Sequence, residues 1–211
     1  MRSSLFIKVL VLAPVLLLII FAYSSFSADS SSSPIDKVKK ATEEITKLLD
    51  EYIKDPQSRK AETLNKLMVI ADQNFDWEEM AKRALSRFWK ERTSEEQKEF
   101  VILFRDLIKN AYIGKIDSYS GEKVIFEGET IEDNYAVVKT KIITPAKGTE
   151  VPVIYRLKNK EDSTWMIYDV VIEGVSLVNN YRDQFTSILQ GSSYSELIKR
   201  IKDKLAQDSK K

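Results

Sequence analysis

The chain has 211 residues, 43% of them apolar, with a formal net charge of +1 and neither cysteine nor histidine. That inventory excludes disulfides, thiolate nucleophiles, the usual zinc sites and any Ser-His-Asp or Cys-His constellation. The near-neutral balance also removes the electrostatic case for nucleic acid, and the length suits one domain with a core of ordinary size.

The N-terminus opens with Arg2 and Lys8 and no acid. An apolar run over residues 9–22 follows, broken only by Pro14, and Ser25-Phe26-Ser27 before Ala28 places small residues at −3 and −1. The run is shorter than the about 20 residues a spanning helix needs, so residues 1–27 read as a signal peptide for export. An uncleaved anchor is the alternative, and either one puts the body outside the cytoplasm. With no cysteine available, a lipid-modified N-terminal cysteine is excluded. Residues 28–34 are a polar, Ser-rich linker, residues 35–207 form a single domain, and residues 208–211 are a polar tail.

Ser33-Pro34 signals a helix start, with a Ser cap and Pro in the first turn. Ile35, Val38, Ile45, Leu48, Leu49 and Tyr52 then share one helical face, and Pro56 is expected to stop the helix. A second helix spans about residues 59–71, with Leu64, Leu67 and Met68 inward. Asp76 with Glu79, and Thr93 with Glu96, have the spacing of a capping box. Each pair opens a further helix. The first carries Met80, Ala84, Leu85 and Phe88. The second carries Phe100, Leu103, Phe104, Leu107, Ile108, Ala111 and Tyr112 and runs toward residue 118. The period then shifts to alternation. Residues 123–127, 135–144, 151–158 and 164–173 read as four strands joined by short polar turns, which favours an antiparallel meander. Helices over residues 177–190, stopped by Gly191, and 195–206 close the chain. Segregated runs of this kind predict an α+β fold: a four-stranded antiparallel sheet covered by N-terminal and C-terminal helices and enclosing an apolar pocket.

Pairing the last two strands through their turn puts Val153, Tyr155 and Leu157 on one face with Met166, Tyr168 and Val170. Ile154, Arg156, Ile167, Asp169 and Val171 take the other face. A sheet apolar on both sides must be covered on both. Tyr112, Tyr135, Tyr155, Tyr168, Tyr181 and Phe185 are more amphiphilic rings than a small core needs, and tyrosine can line an apolar pocket while its hydroxyl meets a polar group. Val137 and Val178 complete the candidate lining. The alternative is plain core packing. Arg182 and Arg156 are candidate contacts for an anionic group, against solvated or structural ion pairs. Asp169 and Glu173 form a carboxylate pair with no nucleophile or metal ligand beside them, so catalysis finds little support. The basic residues Lys199, Arg200, Lys202 and Lys204 of the last helix are diluted by acids and read as the solvated face of a docking helix.

Two segments carry a family resemblance. The first is Asn74-Phe75-Asp76-Trp77-Glu78-Glu79-Met80-Ala81, continuing through Leu85, Trp89, Glu96-Gln97, Phe100, Phe104 and Tyr112. The second is Val153-Ile154-Tyr155-Arg156-Leu157 together with Tyr168-Asp169-Val170-Val171-Ile172-Glu173-Gly174-Val175-Ser176-Leu177 and the run on to Phe185. In order and spacing the chain resembles the MlaC family, also called the toluene-tolerance or ABC-transporter auxiliary family, over roughly residues 35–206. Two positions depart from the pattern: Ser86 stands where glycine is expected in many relatives, and Met166 where lysine is frequent. The resemblance implies a non-enzymatic periplasmic carrier without cofactor. A phospholipid would be its cargo, with the acyl chains in an internal pocket. An inner-membrane ABC transporter complex containing an MCE protein and an outer-membrane lipoprotein complex would be its partners, and nucleic acid would not. The competing readings are a small cone-shaped α+β hydrolase or isomerase and an adaptor that binds only protein.

Overall fold

The computed structural model describes residues 33–145, 148–161 and 163–208. The expected signal peptide, nearly all of the linker and the end of the polar tail lie outside the described residues.

The first helix, α1 (Pro34–Tyr52), is capped as its sequence dictates: Ser33 Oγ accepts the Asp36 N–H at 3.2 Å. It buries Val38, Ala41, Leu49 and Tyr52. Pro56 does not stop this helix, which ends at Tyr52. It opens α2 (Pro56–Asn74), with Asp55 as the cap. Proline is at home in a first helical turn, where its missing N–H would have no partner. Asp76 caps α3 (Trp77–Leu85) by accepting the Glu79 N–H at 3.1 Å. The reciprocal half of that box is missing, because the Asp76 N–H donates to the Ile167 carbonyl at 2.8 Å. The Thr93–Glu96 box at the head of α4 (Ser94–Tyr112) is complete in both directions, at 3.2 and 2.9 Å. Two 3₁₀ segments, Ser86–Glu91 and Ile113–Ser118, follow α3 and α4.

The sheet is a five-stranded antiparallel meander: β1 (Lys123–Glu132), β2 (Tyr135–Ile143), β3 (Glu150–Asn159), β4 (Trp165–Ile172) and the short β5 (Val175–Ser176). The fifth strand is the one the alternation could not announce. It arises because Glu173 and Gly174 both take positive φ, 49° and 81°, the requirement of a tight type I′ hairpin. The chain ends in α5 (Leu177–Gly191) and α6 (Tyr194–Asp208). Among the described residues, no helix is long and apolar enough to cross a membrane.

One irregularity sets which side chains face which way. Between β3 and β4, Arg156 pairs with Asp169 but Leu157 pairs with Ile167, so Tyr168 is an extra residue. A bulge of this kind inverts the alternation on its own strand. Trp165, Ile167, Val170 and Ile172 therefore share the inner face with Val153, Tyr155 and Leu157. Met166 and Tyr168 turn to the opposite side, correcting the facing expected from strict alternation, and Ile167 takes the inner place.

Two cores result. The inner sheet face packs under α1 and α2, with Val38, Leu49, Tyr52 and Leu67 against Val138, Val153, Tyr155 and Leu157. The second core joins α3 to α6, with Met80, Phe100, Phe104, Leu177, Phe185 and Leu197 at its centre.

Candidate functional site

The cavity of interest lies at the seam between the two cores. Its walls come from one face of α1 (Val38, Ala41, Thr42, Ile45), the facing side of α2 (Leu67, Ile70, Ala71) and the α2–α3 junction (Asn74, Phe75, Trp77). The sheet supplies Tyr155, Ile167 and Val170, and Ile108, Lys109, Tyr112 and Leu177 close it from the side of α4 and α5. Its volume is about 80 Å³. The lining is almost wholly hydrocarbon, and the main polar groups need no charge to be satisfied. Thr42 turns its hydroxyl back to the Val38 carbonyl at 2.6 Å, and Asn74 Nδ2 donates to the Ile70 carbonyl at 2.7 Å. Burial pushes the Tyr112 phenol up to about 12 and raises that of Tyr155 further. Both rings therefore stay neutral at any physiological pH.

The α2–α3 junction is fixed to the sheet. Phe75 forms a parallel bridge with Ile167, next to the bulge, and Asp76 donates its N–H to the same residue. The opposite end of the helical hairpin is held by polar contacts. The Tyr52 hydroxyl and Lys60 both reach Asp117, and the Tyr119 hydroxyl donates to Asp50 at 2.7 Å.

Of the residues anticipated from the sequence, Tyr112, Tyr155 and Val170 line this cavity. Val153 and Leu157 belong to the same core, outside the lining. Tyr135 and Val137 occupy odd positions of β2, whose even positions Ala136, Val138, Thr140 and Ile142 point inward, so both face away from the cavity. Tyr135 and Tyr168 instead meet edge to face on that outer side, at 5.9 Å between centroids, with the Arg83 guanidinium 4.2 Å over Tyr168. Met166 stands across from Lys158, so a lysine there would set two ammonium groups opposite each other. Val178, Tyr181 and Phe185 are in the second core.

The two anticipated arginines are also elsewhere. Arg182 is half-buried and its acid is the neighbouring Asp183, 3.7 Å away. Arg156 pairs with Asp169 at 3.1 Å on the outer face. Asp169 is buried and fully engaged: beside Arg156 it accepts from Ser176 Oγ at 2.7 Å and from the Val178 N–H at 3.1 Å. It anchors the positive end of α5 to the sheet. Glu173 sits exposed in the hairpin turn. Of the basic residues of α6, Arg200 pairs with Glu196, Lys202 with Glu99 and Lys204 with Asp208.

Sequence reasoning missed the helical half of the wall. Val38, Ile45 and Leu67 were legible as inward helical positions and Ala41 and Ile70 were not singled out, and nothing local distinguishes a residue facing a cavity from one facing a filled core.

The sequence profile of the MlaC protein family matches residues 39–203, which takes in every wall of this cavity except Val38. The chain belongs to the MlaC family. The intermembrane phospholipid transport system binding protein MlaC of Haemophilus influenzae is 25% identical over 129 residues, covering 59% of this chain. The match takes in 60% of that relative's length. A solved structure of the phospholipid-binding protein from Ralstonia solanacearum, in complex with a phospholipid, superposes with a TM-score of 0.68. It does so at 24% identity over 82% of this chain and 97% of that one, a likeness of fold.

The MlaC motifs now have places. The Asn74-Phe75-Asp76-Trp77 run is the junction that straps α2 to β4. The Tyr168–Gly174 stretch is the bulged strand and its hairpin. Ser86, the position where glycine was expected, has φ 54° and ψ −129°, a conformation natural to glycine and strained for serine.

Proposed function

We propose that this MlaC-family chain is a periplasmic phospholipid carrier. On this reading it shuttles lipid between the inner and outer membranes to maintain lipid asymmetry, with the acyl chains held between the α1–α2 hairpin and the inner sheet face. The single observation that carries the reading is the seam cavity, lined mainly by hydrocarbon and neutral tyrosines with Lys109 in its wall, and placed where the two cores meet. The Haemophilus relative and the lipid-bound Ralstonia structure support it.

Each exposed methylene costs about 0.8 kcal/mol, so two chains of about 15 methylenes cost on the order of 24 kcal/mol to bare in water. A carrier must bury nearly all of that surface. The present volume of about 80 Å³ is well under the about 300–1,000 Å³ of ordinary ligand sites. Loading therefore requires the hairpin to part from the sheet, and unloading lets it close again. Export by the N-terminal signal segment places the carrier in the periplasm. An inner-membrane complex of an MCE protein with an ABC transporter and an outer-membrane lipoprotein complex are its exchange partners. On this reading the chain acts as a carrier without catalysis.

The test is mass spectrometry of the exported protein purified without detergent, intact and as organic extracts. A stoichiometric diacyl phospholipid that survives gel filtration is expected. Absence of lipid, with none acquired from phosphatidylglycerol vesicles, overturns the reading.

A further inference from the structure

Among the described residues, the cavity wall contains one charge. Lys109 projects from α4 among Ile108, Tyr112 and Trp77, its side chain only 7% exposed. Its carboxylate partner is Asp72, at 2.8 Å to Oδ1 and 2.9 Å to Oδ2. The same Oδ1 accepts the Trp77 indole N–H at 2.9 Å, and the Lys109 ammonium lies 6.0 Å from the centre of that ring. Two donors on the cavity wall, an ammonium and an indole N–H, thus converge on one pair of anionic oxygens. Those oxygens do not come from the wall. Asp72 is not part of the lining and is 41% exposed.

A buried ammonium is expensive to desolvate, and a methionine would fill the same space without that penalty. A lysine held at the rim of a hydrocarbon cavity, with its counter-ion half in water, is the arrangement of an anion site whose present occupant can be displaced. The Asp72 carboxylate can rotate into solvent and remain hydrated, while Lys109 stays on the wall.

We propose that Lys109 and Trp77 bind the phosphate of the cargo lipid, and that Asp72 occupies their site in the unloaded protein as an internal competitor. This inference rests on the carrier reading and specifies which part of the lipid is recognised. Bound chains would lie along the hydrocarbon wall, with the phosphodiester at the rim taking the place of the carboxylate. The headgroup beyond it would face water, so recognition would be of the phosphate common to phospholipids and indifferent to the group attached. Asp72 would also close the rim when the carrier is empty, keeping the ammonium paired throughout the cycle.

The experiment is calorimetric titration of the lipid-free protein with two soluble probes, dioctanoylphosphatidylglycerol and dioctanoylglycerol, which share chains and differ in the phosphate. Lys109→Met is expected to weaken the phosphatidylglycerol about ten-fold, the scale of one charge-assisted hydrogen bond, and to leave dioctanoylglycerol within about two-fold. Lys109→Arg is expected to restore most of the difference. Asp72→Asn, which removes the competitor, is expected to tighten the phosphatidylglycerol about three-fold and leave dioctanoylglycerol unchanged. Equal weakening of both probes by Lys109→Met would show a purely structural ion pair and overturn the inference, as would an Asp72→Asn variant that binds phosphatidylglycerol no better than the parent. The second variant decides the matter alone if Lys109→Met does not fold. Inorganic phosphate is the control for a free anion. It is expected to compete at least about a hundred-fold more weakly than the lipid, and parity between them would assign the site to free phosphate instead. A parent protein that binds neither probe defeats the carrier reading itself. One that binds both equally leaves that reading intact and defeats only the phosphate site.

Discussion

The two cores of this protein are built from similar side chains and end in different states. In the α3–α6 core, Phe100, Phe104, Tyr181 and Phe185 interlock with centroids 5.4 to 6.0 Å apart, several of them edge to face. Helices meeting helices can rotate and slide until such rings fill every gap. The core under α1 and α2 cannot settle that way. One wall is a sheet fixed by its hydrogen bonds, and the hairpin laid on it is strapped at Phe75 and tied through Asp117. The space that remains is the cavity. Similar hydrophobic content thus gives a solid body on one side and a container on the other, and the difference lies in how freely the packing surfaces can adjust.

The contrast is tested most strongly from the solid side. Phe104→Ala should destabilise the fold by about 3–5 kcal/mol, as large deletions in filled cores do, with lipid loading per folded molecule unchanged. Urea titration and extraction of the surviving protein would check both halves, and a comparable loss of bound lipid would erase the distinction. From the container side, Ala41→Leu should occupy the cavity, lowering lipid loading from phosphatidylglycerol vesicles about ten-fold. Its effect on stability should stay within about 1.5 kcal/mol, measured by the same titration. Ser86→Gly, on the connector that follows α3, should raise stability by about 1 kcal/mol by relieving its positive φ. Thermal melts would show the gain, and a loss would mean that the serine is held by something other than tolerance. The smallest effect belongs to the seam. The Tyr112 phenol is raised to about 12 from an ordinary value near 10. The native state then binds more protons than the unfolded chain between these values, so its contribution to stability is complete below pH 10 and declines as the pH climbs toward 12. Tyr112→Phe should flatten that alkaline decline in denaturant titrations from pH 8 to 11, and an unchanged slope would mean the ring is better hydrated than its surroundings indicate.

Much of this architecture was legible in the sequence because local signals and tertiary demands agree. Ser33, Asp76 and Thr93 cap the helices they were expected to cap, and the four strands pair in chain order as their short turns require. The failures have particular causes. Pro56 carries the same signal whether a helix has just ended or is about to begin, and only Asp55 before it favours the latter. The bulge at Tyr168 has no glycine to mark it, so strict alternation put Met166 and Tyr168 inside and Ile167 outside. Arg182 and Arg156 were sought as anion contacts because arginine is the usual choice, while Lys109 was passed over inside a helical stripe, where a lone lysine looks like a solvated position. Its burial depends on Trp77 and Asp72, 32 and 37 positions earlier in the chain, and no helical period reports that.

The bulge also makes β4 a strand with a phase. Everything from Tyr168 back to Trp165 is read with the opposite parity to everything from Asp169 onward. Deleting Tyr168 alone would join Ile167, which faces inward, to Asp169, which faces outward, so the alternation would become regular and every other side chain of β4 would keep its face. Flattening the strand with Tyr168 kept in it would do the reverse, sending Trp165 and Ile167 outward and drawing Met166 and Tyr168 to the cavity wall. Tyr168 is thus a spacer, and a one-residue gap at that point in a relative would leave the lining of the cavity in register.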